Sequence, residues 1–172
     1  MVEALKKFGA KVTGIDISDG AINTAQIHAE KTNCDVTYIH GEAEDLLPEK
    51  KETFDVVTCL EAIEHVPDPQ QLVKTCSDLC KPGGTIVFST INRNPKSFLF
   101  AIIGAEYILN LLPKGTHEFK KFLKPSELSN MMRNSNLKVK EIIGMSYNPL
   151  TKKNWLGKDV DVNYMIHAEK SK

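Results

Sequence analysis

The sequence predicts an α/β fold, with strands and helices alternating around a largely parallel sheet. Three observations carry this. Short apolar, β-branched runs recur at about 11–16, 36–40, 54–59 and 85–90. Amphipathic stretches of helical length separate several of them, notably from Ser18 to about Lys31 and from Pro69 to about Leu79. Capping and turn residues stand at the joints: Gly9, Asp68 before Pro69, and Lys81-Pro-Gly-Gly84.

In order, Val2 to Phe8 reads as the tail of an amphipathic helix closed by Gly9. Lys11–Asp16 is a strand ending in an acid, after which Ser18 or Asp19 caps a helix with Ile22, Ala25 and Ala29 inward. Val36–His40 is the next strand, followed by an acidic loop, Gly41–Leu47. Phe54–Cys59 is a buried strand, and Asp68 caps the helix that follows it. Lys81–Gly84 is a tight turn into the strand Thr85–Thr90, and Lys96–Lys114 is the most apolar stretch. Pro125 starts a helix to about Ser135, and Leu137–Ile143 and Val162–Ala168 close the chain as strands.

A chain of 172 residues suits one domain with a real core, and 41% hydrophobic with 26% charged residues excludes a disordered class. Lys+Arg and Asp+Glu balance at 22 each, which argues against nucleic-acid binding. Cys34, Cys59, Cys76 and Cys80 make no CxxC or zinc spacing, and a reducing, cytoplasmic compartment fits them. The opening Met-Val-Glu-Ala-Leu-Lys-Lys lacks the apolar core of a signal peptide. No run reaches the roughly 20 apolar residues of a membrane span.

Chemistry concentrates after the strands. Asp16, at the end of the strand Lys11–Asp16, suits the paired hydroxyls of a nucleoside ribose, in an NAD or an S-adenosylmethionine site alike. The other reading is a helix-capping aspartate. Glu42 and Ala43 follow the strand Val36–His40, where a carboxylate and a backbone N–H can read an adenine edge. A solvated acidic loop is the alternative. Glu61, Glu64 and His65 fall at i, i+3 and i+4, so one helical turn would gather them on one face. Two carboxylates and an imidazole suit Mg²⁺ or another divalent cation, and helix-start glutamates are the plainer account. His117, in a Gly-Thr-His loop, is the second base, or else a surface histidine.

An acid after strand two, an acidic loop after strand three, Glu-His-Val-Pro after strand four and Lys-Pro-Gly-Gly before strand five resemble class I S-adenosylmethionine-dependent methyltransferases. Ser89-Thr-Ile-Asn-Arg-Asn94, Gly104-Ala-Glu-Tyr-Ile-Leu109, Pro113-Lys-Gly-Thr-His117, Tyr147-Asn-Pro149 and Asp161-Val-Asn-Tyr164 together resemble the UbiG-type O-methyltransferases of ubiquinone biosynthesis. The resemblance implies a Rossmann-like sheet and methylation of phenolic hydroxyls on polyprenylated precursors, 2-polyprenyl-6-hydroxyphenol and 3-demethylubiquinol. It makes Asp16 and Leu60 cofactor contacts, and partnership with other ubiquinone-biosynthesis proteins is a further expectation. Related mitochondrial enzymes are metal-dependent at the positions of Glu61, Glu64 and His65.

The family's first strand and Gly-rich loop are not found. The expectation is therefore a single methyltransferase domain over residues 1–172, truncated at its N-terminus, with an apolar and basic insertion at about 95–122. A methyltransferase for another small phenol is one rival. An inactive membrane-associated module that has lost the cofactor loop is the other. Ser97–Leu112 is apolar for about four turns, roughly 22 Å of helix. Between Arg93 and Lys124 six bases face two acids, a local charge of +4. Residues 96–124 thus suit a peripheral contact with an anionic membrane surface, or a core helix on the sheet.

Overall fold

The structure, a computed structural model, describes residues 1–98, 119–148 and 151–172. The chain divides into two units, Met1–Glu49 and Lys50–Lys172, each described here by itself.

The first unit begins with α1 (Val2–Lys7), β1 (Thr13–Asp16), α2 (Asp19–Lys31) and β2 (Thr37–His40). A 3₁₀ turn, Ala43–Leu46, then leads into the short helix α3 (Leu47–Lys50). The strands pair in parallel, Thr13 beside Thr37 and Asp16 beside His40. Such pairing needs a crossover of a dozen or more residues, which α2 supplies. Ser18 is the cap: its Oγ accepts from the Ala21 N–H at 3.2 Å. Ile22 and Ala29 are buried and Ala25 half-buried, as the periodicity predicts. His28 Nδ1 lies 2.7 Å from the Glu3 carboxylate, joining α1 to α2, and this hydrogen bond holds the Glu3 carboxyl below its usual range.

The second unit contains β3 (Phe54–Leu60), a 3₁₀ turn (Ile63–His65), α4 (Pro69–Leu79), β4 (Cys80–Ile91) and the single turn α5 (Pro95–Ser97). It continues through a 3₁₀ turn (Phe119–Lys121), α6 (Pro125–Asn134), β5 (Leu137–Asn148), β6 (Lys153–Gly157) and β7 (Asn163–Lys170). The sheet order is β3-β4-β7-β5-β6. Its core is built on Ile63, Val73, Phe88, Leu128, Met132, Tyr164 and Ile166, all 0% exposed. Two bonds tie α4 to the residue that closes α6: Ser77 Oγ to Ser135 O at 2.7 Å, and Gln70 Nε2 to Ser135 Oγ at 3.0 Å.

The sheet corrects one expectation. It is mixed rather than largely parallel: β3 and β4 run in parallel, while β4–β7, β7–β5 and β5–β6 are antiparallel. The segments joining β5, β6 and β7 are too short for a crossover helix, so these strands can only return beside one another. The Lys81–Gly84 turn forms inside β4 as an extrusion, since Phe54 faces Cys80 and Val56 already faces Thr85.

Loop 158–162 packs over the middle of β5. Asn92 Nδ2 donates to Val160 O at 2.9 Å, Asn94 Nδ2 to Asp161 O at 2.6 Å, and Lys96 Nζ meets Asp159 and Asp161 at 2.9 Å each. This clasp requires a glycine beneath it: a Cβ on Gly144 would lie 1.7 Å from Asp159 O. Gly144→Ala is therefore expected to lower stability by about 1–3 kcal/mol, read as a reduced midpoint of urea unfolding. Gly20→Ala, in α2 where a Cβ meets nothing closer than 4.0 Å, should raise that midpoint slightly.

Candidate active site

The carboxyl end of β3 places the acid-rich turn. Leu60, the last residue of β3, pairs with Ser89 of β4 and is half-buried. The chain then bends sharply at Glu61, whose φ of +52° is left-handed and costly for a residue with a side chain. Ser89 holds that bend from three directions. Its backbone O accepts from the Glu61 N–H at 3.0 Å and its Oγ lies 3.2 Å from the same nitrogen. The hydroxyl also donates to Glu61 Oε1 at 2.7 Å.

Glu64, inside the 3₁₀ turn that follows, is only 3% exposed. Its Oε2 accepts from Thr90 Oγ1 at 2.9 Å, and its Oε1 is buried without a hydrogen-bond partner. His65 is exposed. A cavity of about 390 Å³ opens beside the turn, lined by Glu64, His65, Pro67, Lys120, Lys121 and Leu123. Tyr164, directly opposite Thr90 on β7, donates its hydroxyl to Leu123 O at 2.8 Å. Burial, with Glu127, Glu64 and Glu61 nearby, pushes the Tyr164 phenol far above its usual pKa, so it remains a donor.

The helical turn expected to gather Glu61, Glu64 and His65 on one face does not form that way. Glu61 stands outside the 3₁₀ turn in a left-handed conformation. The two carboxylates are bound to adjacent residues of one strand, Ser89 and Thr90, whose side chains leave the sheet on opposite faces. Among the described residues no group of three or more His, Cys, Asp or Glu is gathered for a metal ion. As arranged, the three do not fit a divalent cation as one donor set.

The remaining candidates lie elsewhere. Asp16 ends β1, is exposed, and accepts the Ser18 N–H at 2.8 Å. It thus shapes the approach to α2, while Ser18 does the capping. Glu42 and Ala43 open the turn after β2, where the Asp45 carboxylate accepts from the Glu42 N–H at 2.9 Å. These three belong to the first unit and Leu60 to the second. His117 and most of the apolar stretch 96–114 lie outside the described residues. Sequence reasoning met Ser89, Thr90 and Tyr164 only inside the motifs that carry the resemblance and gave them no role in the site. The available signal was two hydroxyls side by side at the end of the apolar run Ile86-Val-Phe88.

A family profile described as a methyltransferase domain matches residues 1–88. The fold is that of the S-adenosylmethionine-dependent methyltransferases. A solved one from Thermotoga maritima, described as a possible histamine N-methyltransferase, superposes with a TM-score of 0.64 at 24% identity, over 96% of this chain and 75% of its own. Sequence narrows the class. A ubiquinone biosynthesis O-methyltransferase of Pseudomonas syringae pv. tomato is 57% identical over 166 residues, 96% of this chain and 72% of that protein. Its counterpart in Nitrosospira multiformis is 55% identical over 164 residues, 95% of this chain and 69% of that protein. The chain belongs to the ubiquinone biosynthesis O-methyltransferase family.

The buried carboxylate makes a testable stability coupling. Thr90→Val removes the hydroxyl donor of Glu64 and is expected to cost about 1–3 kcal/mol. Adding Glu64→Leu should recover much of that loss, because no buried charge is then left unpaired. Urea unfolding of the two single variants and the double variant measures the coupling.

Proposed function

We propose that this chain is an S-adenosylmethionine-dependent O-methyltransferase acting on phenolic hydroxyls of polyprenylated ubiquinone precursors, 2-polyprenyl-6-hydroxyphenol and 3-demethylubiquinol. The observation that carries the reading is identity above 50% over almost the whole chain with ubiquinone biosynthesis O-methyltransferases. The domain is read as one methyltransferase domain over residues 1–172.

Methyl transfer from a sulfonium to a phenol needs in-line approach and a route for the phenolic proton. Asp16 is proposed for the ribose hydroxyls, Glu42 and the Ala43 backbone for the adenine, and Leu60 for the cofactor's apolar wall. Glu61, Glu64 and His65 form the acceptor side. The cavity beside Glu64 suits a ring, with the exposed His65 imidazole as a proton acceptor. His117 is kept as a second base. As arranged, Glu61, Glu64 and His65 are not gathered to hold a metal ion between them.

Among the described residues no helix is long and apolar enough to cross a membrane. A lipid-tailed acceptor still requires a meeting with the bilayer. Residues 96–124 are proposed as a peripheral contact with an anionic membrane surface, made from the cytoplasm, where other ubiquinone-biosynthesis proteins are candidate partners.

The assay is methyl transfer from S-adenosylmethionine, supplied at millimolar concentration, to a demethylated quinol. Transfer to the tailed quinol is expected, with weaker transfer to a catechol lacking the tail. Absence of transfer to any phenol favours a binding module over an enzyme. Chelation of divalent ions is expected to leave turnover unchanged. Activity lost on chelation and restored by Mg²⁺ would show that the acceptor draws Glu61, Glu64 and His65 together.

A second expectation concerns the cofactor itself. The sequence holds no glycine-rich loop between a strand and a helix, the element that cradles such cofactors. Among the described residues β3 pairs on one side alone. Calorimetry on the 172-residue chain should therefore show weak binding of S-adenosylmethionine. A micromolar dissociation constant would refute this.

A further inference from the structure

We propose that the β5–β6 hairpin is a membrane wedge that seats in the headgroup region of an anionic bilayer. The register shows where it projects. Ile91, the end of β4, and Met145 of β5 both face Asn163 of β7. Ser146–Asn148 and the paired residues of β6 therefore overhang the carboxyl end of β4 by about 10 Å. Glu61 and Glu64 are held at that same end by Ser89 and Thr90.

The hairpin exposes large apolar and aromatic side chains, two in the overhang and Leu156 level with the end of β4. Tyr147 is 52% exposed, Trp155 52% and Leu156 59%. Trp155 pairs with Ser146, and its neighbour Leu156 pairs with Met145, so these two large side chains leave the hairpin on opposite faces. A protein partner covers one face of a ribbon, whereas immersion in a membrane interface covers both. Tryptophan and tyrosine, with an apolar body and a polar tip, are the residues that favour that interface.

The charge agrees. Residues 142–158 contain Lys152, Lys153 and Lys158 and no Asp or Glu. All three lysines are exposed, and none of them forms an ion pair among the described residues. A net +3 beside exposed aromatic surface complements anionic headgroups. The same lysines disfavour pairing of the β6 edge with a second copy, which would bring like charges together.

The inference draws on the lipid-tailed acceptor proposed above, and its test separates the two readings because binding is measured with no acceptor present. Trp155 is the sole tryptophan of the chain and reports directly on the hairpin. Vesicles of phosphatidylglycerol and phosphatidylcholine should shift its emission to the blue, and lipids brominated near the headgroup should quench it. Pure phosphatidylcholine should do neither. The triple variant Lys152→Glu, Lys153→Glu, Lys158→Glu should weaken vesicle binding on the order of 100-fold, with an unchanged far-ultraviolet circular dichroism spectrum.

Three results overturn the proposal. One is co-sedimentation with anionic vesicles while Trp155 emission stays fixed, which leaves the contact to residues 96–124. Another is a concentration-dependent emission shift without lipid, accompanied by dimers in sedimentation, which makes a second copy the occupant. The third is an emission shift on adding a short soluble polyprenol but not on adding vesicles, which makes the hairpin a tail-binding surface.

Discussion

Strand β4 constrains the second unit more than any other element. Among the described residues it alone has a parallel neighbour on one side, β3, and an antiparallel one on the other, β7. Its last residues therefore stand where the two halves of the sheet meet. Ser89 and Thr90 are buried there, at 2% and 0% exposure, and each hydroxyl binds a carboxylate of the turn after β3. Any shift of β4 by one residue would exchange the faces to which those hydroxyls point. The left-handed bend at Glu61 and the burial of Glu64 both depend on that register.

The first unit was legible in the sequence almost to the residue. Parallel strands joined by one amphipathic helix leave strong local signals, and Ser18, Ile22 and Ala29 do what periodicity and capping chemistry assign to them. The second unit was legible only in part, because strand direction is not written in the strands themselves. Leu137–Ile143 reads as a strand in either orientation. The absence of a crossover helix between it and Val162–Ala168 carried the information. β6 went unread because Lys153-Asn-Trp-Leu-Gly157 is a short edge strand with little apolar alternation, held by its pairing with β5.

The acid-rich turn shows where spacing ceases to inform. Positions i, i+3 and i+4 share a face only if the backbone between them is α-helical. Glu61 adopts φ +52° instead, and a 3₁₀ turn begins two residues later. The turn follows β3 as the sequence predicts, and its internal geometry differs from the helical one expected. What decides that geometry is a pair of hydroxyls 26 and 28 residues further on from the carboxylates they bind, beyond the reach of any local pattern. Tyr164 is more distant still, yet it fixes Leu123 over the same cavity through one hydrogen bond.

Phe98 and Phe119 meet edge to face with ring centroids 5.4 Å apart, and Phe119 meets Phe122 at 5.8 Å. The described residues on either side of 99–118 are thus held side by side. Arg93, paired with Glu127, and the Asn92–Lys96 clasp anchor the exit to the sheet independently of the twenty residues between the two rings. Closing a longer or shorter excursion over a fixed gap changes the free energy little, about 0.6 kcal/mol per doubling of length. The length of this one segment can therefore change while strand register and the two buried carboxylate contacts stay as they are. The ring contact that brackets it leaves the length of this segment uncoupled from the rest of the sheet.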